Sequence, residues 1–461
     1  MSSIAMSGQT RLDPACLRNS ILGAVVGLLP LLPGAALAET TRPCQLNSLP
    51  VQSRLQTHAG IARYPGAQML QAQTQAQTQA QTQAQTQAQI HQIQPASSTT
   101  NFLVMGGGGA PSYNEIALEK NVLYFQRTLQ ALGFNPASAA VYFANGGDGQ
   151  ATVRYLNGSR ELFKAPEIPY LLGSSTRTNF QSWIQRTLQS TDQRSIFFYF
   201  TGHGHRNRAN MDNNVMILWG EDLLSVQEFT TSLDQLPTST PVVTMMAQCY
   251  SGSFANLIYQ GGNPNRPVAL HNRCGFFATV KTRPSVGCTP EVNEADYRDY
   301  SSSFFAGLSG RDRTGRPVVS ADYNRDGAVS YAEAHAFAKV DEQSTDLPVS
   351  TLEVWLQQQS GPAQQQILNQ PLSAVLATAR PEQTYVVESL ARQFGFDLKQ
   401  SYLTQSATLS QLNPDQDAFV RRLGMELINI GMEQRLRQSQ DPAKLAMLDR
   451  LIRCEAGTWI Y

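Results

Sequence analysis

The chain has 461 residues, with 35 Lys+Arg against 35 Asp+Glu and 41% hydrophobic residues. One core rarely grows past ~250–300 residues, so more than one structural unit is expected. A net charge of zero argues against a general nucleic-acid binder, which carries a basic surplus. Charged residues make up only 15%, below the ~25% of ordinary soluble domains, and Gln-rich stretches fill the gap.

Residues 1–38 read as a signal peptide. Arg11 and Arg18 precede an apolar run over 21–32, and Pro33, Gly34 and Ala36-Leu37-Ala38 lead to Glu39, so cleavage is expected after Ala38. The run is shorter than the ~20 apolar residues of a membrane span, and no stable span is expected after cleavage. The expected location is periplasmic or extracellular. Cys16 leaves with this segment, and Cys44, Cys249, Cys274, Cys288 and Cys454 remain. An odd number in an oxidising compartment leaves one thiol unpaired. After a short segment, 39–70, residues 71–99 begin with a Gln-Ala-Gln-Thr repeat that cannot bury a core and reads as a linker.

From residue 100 apolar runs alternate with amphipathic stretches. Residues 101–105 (NFLVM) predict a buried strand ending in the glycines 106–109. Ser112-Tyr113-Asn114-Glu115 has the form of a capping box, opening a helix that Gly133 stops. Strands follow at 141–144, 195–201 and 242–247, and an extended run at 275–280. Helices are expected at 180–188, 226–236, 251–259 and 301–308. Such alternation predicts a three-layer α/β/α core over 100–349, its mostly parallel sheet covered on both faces. Residues 350–461 form a helical C-terminal region, with stretches at 419–436 and 445–452 and one short strand at 384–387.

Working residues in such sheets sit at the carboxyl ends of strands. One strand runs into Thr201-Gly202-His203-Gly204-His205, another into Ala247-Gln248-Cys249-Tyr250-Ser251-Gly252-Ser253. If the two are neighbours, His203 and Cys249 emerge side by side. A thiol at a helix N-terminus beside an imidazole is pushed toward thiolate, a nucleophile for carbonyl carbon, and the imidazole can protonate the leaving amine. The flanking glycines let a substrate backbone approach and free N–H groups to hold an oxyanion.

FFYFTGHG, AQCYSGSF and GFFATVKTRPSVGC resemble the caspase-fold cysteine peptidases, and within them the legumain-like group, as a bacterial-type exported member. The resemblance covers about residues 100–345, and the blocks agree in order and spacing. It implies a caspase-like core, protein or peptide substrates, a His203/Cys249 dyad, and an oxyanion hole from the Gly204 and Cys249 N–H groups. The family's Glu-Ala-Cys or Gln-Ala-Cys is Ala247-Gln248-Cys249 here. In legumains a basic residue with nearby acids selects asparagine before the scissile bond. The matching stretch, Ser112 to Glu115, has no arginine or histidine. The resemblance puts Ser285 and Asp299 in the pocket wall, with Glu115 a further candidate, and such a pocket should favour Arg or Lys.

The 322–333 stretch fits a twelve-residue calcium loop. Asp322, Asn324, Asp326, Ala328 (by its carbonyl), Ser330 and Glu333 occupy the ligand positions, with Gly327 at the turn. A structural Ca²⁺ is the one cofactor expected. With Cys249 kept free, disulfides Cys274–Cys288 and Cys44–Cys454 are expected. Two alternatives stand against the peptidase: an inactive binding or scaffold protein of the same fold, and a metal-dependent hydrolase using His203 and His205 with His271 or a carboxylate. The glycines at 106–109 lack the Gly-Lys-Ser/Thr ending of a phosphate loop. The C-terminal helices would either inhibit or stabilise the core.

Overall fold

The computed structural model describes residues 100–190 and 194–459. The expected signal peptide, the 39–70 segment, the expected Gln-rich linker and Cys44 lie outside them.

Eleven strands occur among the described residues: β1 (Thr100–Gly107), β2 (Ala140–Phe143), β3 (Val153–Asn157), β4 (Arg160–Lys164), β5 (Leu171–Gly173), β6 (Ser195–His205), β7 (Val215–Leu218), β8 (Asp222–Ser225), β9 (Val242–Ala247), β10 (Arg273–Phe277) and β11 (Val349–Ser350). The main sheet runs β11-β10-β9-β6-β1-β2-β5 and is parallel except where β11 pairs with β10. The end of β6 turns antiparallel to β7, which pairs with β8, while β3 and β4 form a separate hairpin closed by Gly158-Ser159.

The period of two decides which layer each side chain enters. Phe102, Val104, Phe197, Tyr199, Val243 and Met245 enter one core, with helices Ile116–Ala131 and Tyr300–Ser309. Leu103, Met105, Phe198, Phe200, Val242 and Met246 enter the other, with helices Arg177–Gln189 and Val226–Leu233 and much of the C-terminal region. The chain therefore forms a three-layer α/β/α core around a mostly parallel sheet, with a helical C-terminal region. No helix among the described residues is long and apolar enough to cross a membrane.

The C-terminal region completes this core. Trp459 is buried against the rings of Phe102, Phe125 and Phe197. From helix Pro414–Gln438, buried Arg422 donates to the carbonyls of Lys339, Glu342, Ser344 and Asp346. Lys339 bridges Glu353 and Glu426, joining helix Tyr331–Asp341 to the same long helix.

Three expectations are corrected. Cys274 on β10 is bonded to Cys454, in place of the expected Cys274–Cys288 and Cys44–Cys454 pairs, and Cys288 is free. Parallel pairing with β9 lays Cys274 against the helix Pro442–Glu455, whereas Cys288 is carried to the sheet's carboxyl rim. Ser112 makes no capping box: residues Pro111–Tyr113 form a 3-10 turn, and the helix starts at Ile116 with Glu115 turned elsewhere. The expected strand at 384–387 lies inside helix Pro381–Gln393, where Val386, Val387 and Leu390 face the core.

Candidate active site

The β6–β9 register pairs Thr201 with Ala247, so both chains leave the sheet at one level, and His203 and Cys249 each follow two residues later. The approach there is very close. A Cβ on Gly204 would lie 2.2 Å from the Cys249 carbonyl oxygen, so only glycine fits. Tyr250 takes the left-handed conformation (φ 60°) that turns the chain into the 3-10 helix Ser251–Ile258. The expected helix there is thus a tighter one.

The 279–286 segment walls this turn. Gly252 and Tyr250 donate backbone N–H groups to the carbonyls of Thr279 and Arg283, at 2.8 and 2.9 Å. The Ser285 N–H points at the Cys249 Sγ, 3.2 Å away. Ser285 Oγ and the Val286 N–H both bond Asp346, at 2.5 and 3.1 Å. Asp346 is fully buried, and burial pushes its carboxyl up to about 7 despite those bonds. Burial also raises the Cys249 thiol, which the Ser285 N–H only partly offsets. The expected depression toward thiolate is therefore absent from the free protein: desolvation of the sulfur outweighs nearby dipoles.

His203 meets a partner that the sequence reading missed. Its Nε2 lies 2.9 Å from Glu115 Oε2, and the other Glu115 oxygen accepts from Arg154 on β3 at 2.7 Å. Burial alone would raise Glu115, but the bonds from His203 and Arg154 prevail and hold it below the usual carboxylate range. An ionised Glu115 accepts the Nε2 proton and so leaves Nδ1 as the basic nitrogen. The Tyr113 ring packs edge-on against the imidazole at 5.3 Å.

The residues expected in a specificity pocket divide. Ser285 is beside Cys249, and Glu115 is at the site but engaged by His203 and Arg154. Asp299 is buried: it caps helix Tyr300–Ser309 through the Ser302 N–H and accepts from Asn121 Nδ2 at 2.9 Å. The open, unpaired carboxylate behind the expected basic preference is thus missing, because Asp299 is satisfied internally and Arg154 supplies the cation thought absent.

Among the described residues, Glu115, His203 and Cys288 bring three metal-ligating atoms within 4.8 Å of one another. His205 is exposed and lies outside that cluster, and His271 bonds the Leu236 carbonyl, so the ligand set of the alternative metal-hydrolase reading, His203 with His205 and His271, is not brought together. The glycines at 106–109 serve packing: Gly108 N–H bonds Asn114 Oδ1, and a Cβ there would strike Tyr113. In the 322–333 loop Asp322 accepts the N–H groups of Asp326 and Gly327, and Glu333 those of Tyr323, Asn324 and Ser330. Carboxylates at its first and last positions thus turn into one loop, and an all-oxygen set suits a hard cation.

No protein-family model matches the chain, and no curated protein does. Among solved structures, caspase-1 from Spodoptera frugiperda is similar at 11% identity, over 55% of this chain and 86% of its own, with a TM-score of 0.29. A likeness of that size assigns neither activity nor residues.

Proposed function

We propose that the chain is an exported cysteine endopeptidase of caspase-like, legumain-like type, with Cys249 as nucleophile and His203 as general acid and base. The observation that carries this reading is the level at which β6 and β9 release the two residues, with the Gly204 backbone against the Cys249 carbonyl. His203 Nδ1 takes the thiol proton as the sulfur bonds the scissile carbonyl carbon. The N–H groups of Gly204 and Cys249 stabilise the oxyanion, and the imidazolium returns the proton to the departing amine. Water, deprotonated by the same imidazole, then hydrolyses the thioester and frees the thiol. Because the thiol rests protonated, proton transfer belongs to the attack itself. Glu115 fixes the imidazole's tautomer and steadies its charge.

The 322–333 loop holds a structural calcium ion in this reading, and the signal peptide directs the chain to the periplasm or outside. The presence of both His203 and Cys249 at the two strand ends weighs against the alternative of an inactive scaffold. Cleavage of unstructured protein and of peptide libraries tests the proposal. Cys249→Ala and His203→Ala should each abolish turnover while His205→Ala keeps most of it, since nucleophile and acid act as a unit. Substantial turnover by Cys249→Ala refutes it.

A further inference from the structure

Cys288 was expected in a disulfide and has no role in the proposed chemistry, yet its sulfur lies at the site, with the Gly202 carbonyl 3.8 Å away. A free thiol, a half-buried imidazole and a 4%-exposed carboxylate, all within 4.8 Å, form the donor set of a borderline-soft divalent cation. We propose that Glu115 Oε2, His203 Nε2 and the Cys288 Sγ form a Zn²⁺ site, and that zinc there reversibly inhibits the peptidase. The inhibition rests on the peptidase reading; the metal site does not.

Zinc–nitrogen and zinc–oxygen bonds of about 2.0–2.1 Å and a zinc–sulfur bond of about 2.3 Å require ligand atoms roughly 3.3–3.8 Å apart in a tetrahedron. The His203–Glu115 pair at 2.9 Å has to open by less than about 1 Å, and the thiol has to close by a similar amount, within reach of side-chain rotation. The outer shell is already built. Arg154 holds Glu115 by its other oxygen, leaving Oε2 directed at His203, as carboxylate ligands are steadied elsewhere. Zn²⁺ displaces the thiol proton to solvent, and the imidazole hydrogen between Nε2 and Oε2 is transferred to Nδ1, so the ring stays neutral. Carboxylate and thiolate together then neutralise the ion, and a fourth position stays open to water. The metal-bound imidazole can no longer cycle as acid and base. The ion would leave Cys249 untouched, so the block lifts when the metal is removed.

The test uses the full chain, freed of metal, with Zn²⁺ alone and with Co²⁺ as a spectroscopic probe. One equivalent of Co²⁺ should give a sulfur-to-cobalt charge-transfer band in wild type and in Cys249→Ala, and none in Cys288→Ser. Zn²⁺ should compete for it. Loss of the Cys288 ligand should weaken zinc binding by more than the roughly 10–100-fold that outer-shell partners are worth. Zinc should suppress cleavage by wild type, a chelator should restore it, and Cys288→Ser should cleave without zinc sensitivity. A band that survives Cys288→Ser, or is lost in Cys249→Ala, overturns the site. Activity destroyed by a chelator and regained with zinc overturns inhibition in favour of a metal-dependent enzyme. Should no form cleave any substrate, the peptidase reading fails, and the cobalt spectra still decide the site.

Discussion

Replacing Gly204 by alanine tests the proposed geometry at its tightest point. The added carbon would sit 2.2 Å from the Cys249 carbonyl oxygen and 2.9 Å from Gln248 Cγ, where ordinary contacts begin near 3.4 Å. Relief needs the end of β6 and the Cys249 turn to part by about 1 Å, since the obstacle is backbone rather than a mobile side-chain tip. A misplacement of that size costs on the order of 100-fold in rate, about 2.7 kcal/mol of transition-state stabilisation. The fold should survive, because β6 stays bonded to β1 over eight residue pairs and to β9 over six. The assay is kcat/KM on a fluorogenic peptide with a thermal melt, and Gly147→Ala, where a Cβ meets open space, is the control. The expected result is a ~100-fold slower enzyme with a melting temperature a few degrees lower. Full activity with an unchanged melt would refute the close approach of the two strand ends, and with it the dyad.

Stability should fall as pH rises from about 5 to 8. Burial lifts Asp346 to about 7 and Glu455 to about 8, and a carboxyl raised in the fold stabilises fully below its unfolded value and loses that contribution as pH passes its folded value. At ~1.4 kcal/mol per unit the two lifts together amount to on the order of 5–10 kcal/mol, and denaturant melts showing rising stability over this range would contradict the burial argument. Peptide mapping without reductant should recover a Cys274–Cys454 bridge with Cys249 and Cys288 unpaired, and Cys454→Ser should cost about 5 kcal/mol on the chain-entropy model for a loop of 180 residues. Calcium should raise the melting temperature by mass action, and Asp322→Ala or Glu333→Gln should abolish the rise; no shift in the wild type would leave the loop a mere turn.

The parallel core was legible because short apolar runs such as 101–105 and 195–201 are buried on both faces, the pattern a covered sheet imposes. The pair His203 and Cys249 was legible for a related reason: each ends such a run, so their level needed no distant contact to infer. What escaped was set by three-dimensional partners. Glu115 resembled a helix cap in sequence, and only the β3–β4 hairpin brings Arg154 to hold it toward His203. That hairpin did leave a trace, the Gly158-Ser159 turn between two strand-like runs. Asp299 shows the opposite error. It was assigned to an open pocket, yet an Asp immediately before Tyr300-Ser301-Ser302 is a helix cap on local grounds alone. The cysteine pairing was beyond the sequence, because sequence separation says nothing of which chains the sheet lays together.

The hold that residues 414–459 exert on the core bears on when the Cys249 site takes shape. During synthesis Cys249 and its wall emerge well before Arg422, Cys454 and Trp459 exist. Until they arrive, the carbonyls of the 339–346 segment lack the guanidinium that gathers them, and the aromatic cluster around Phe102 and Phe197 has an open seat. Asp346 is carried on that same segment, so the support beneath Ser285 is loose as well. A chain still lacking residues 414–459 therefore presents Cys249 on an unfinished floor. On the proposed function, the order of residues along the chain would delay a competent Cys249 site until the last helix, Pro442–Glu455, has been made.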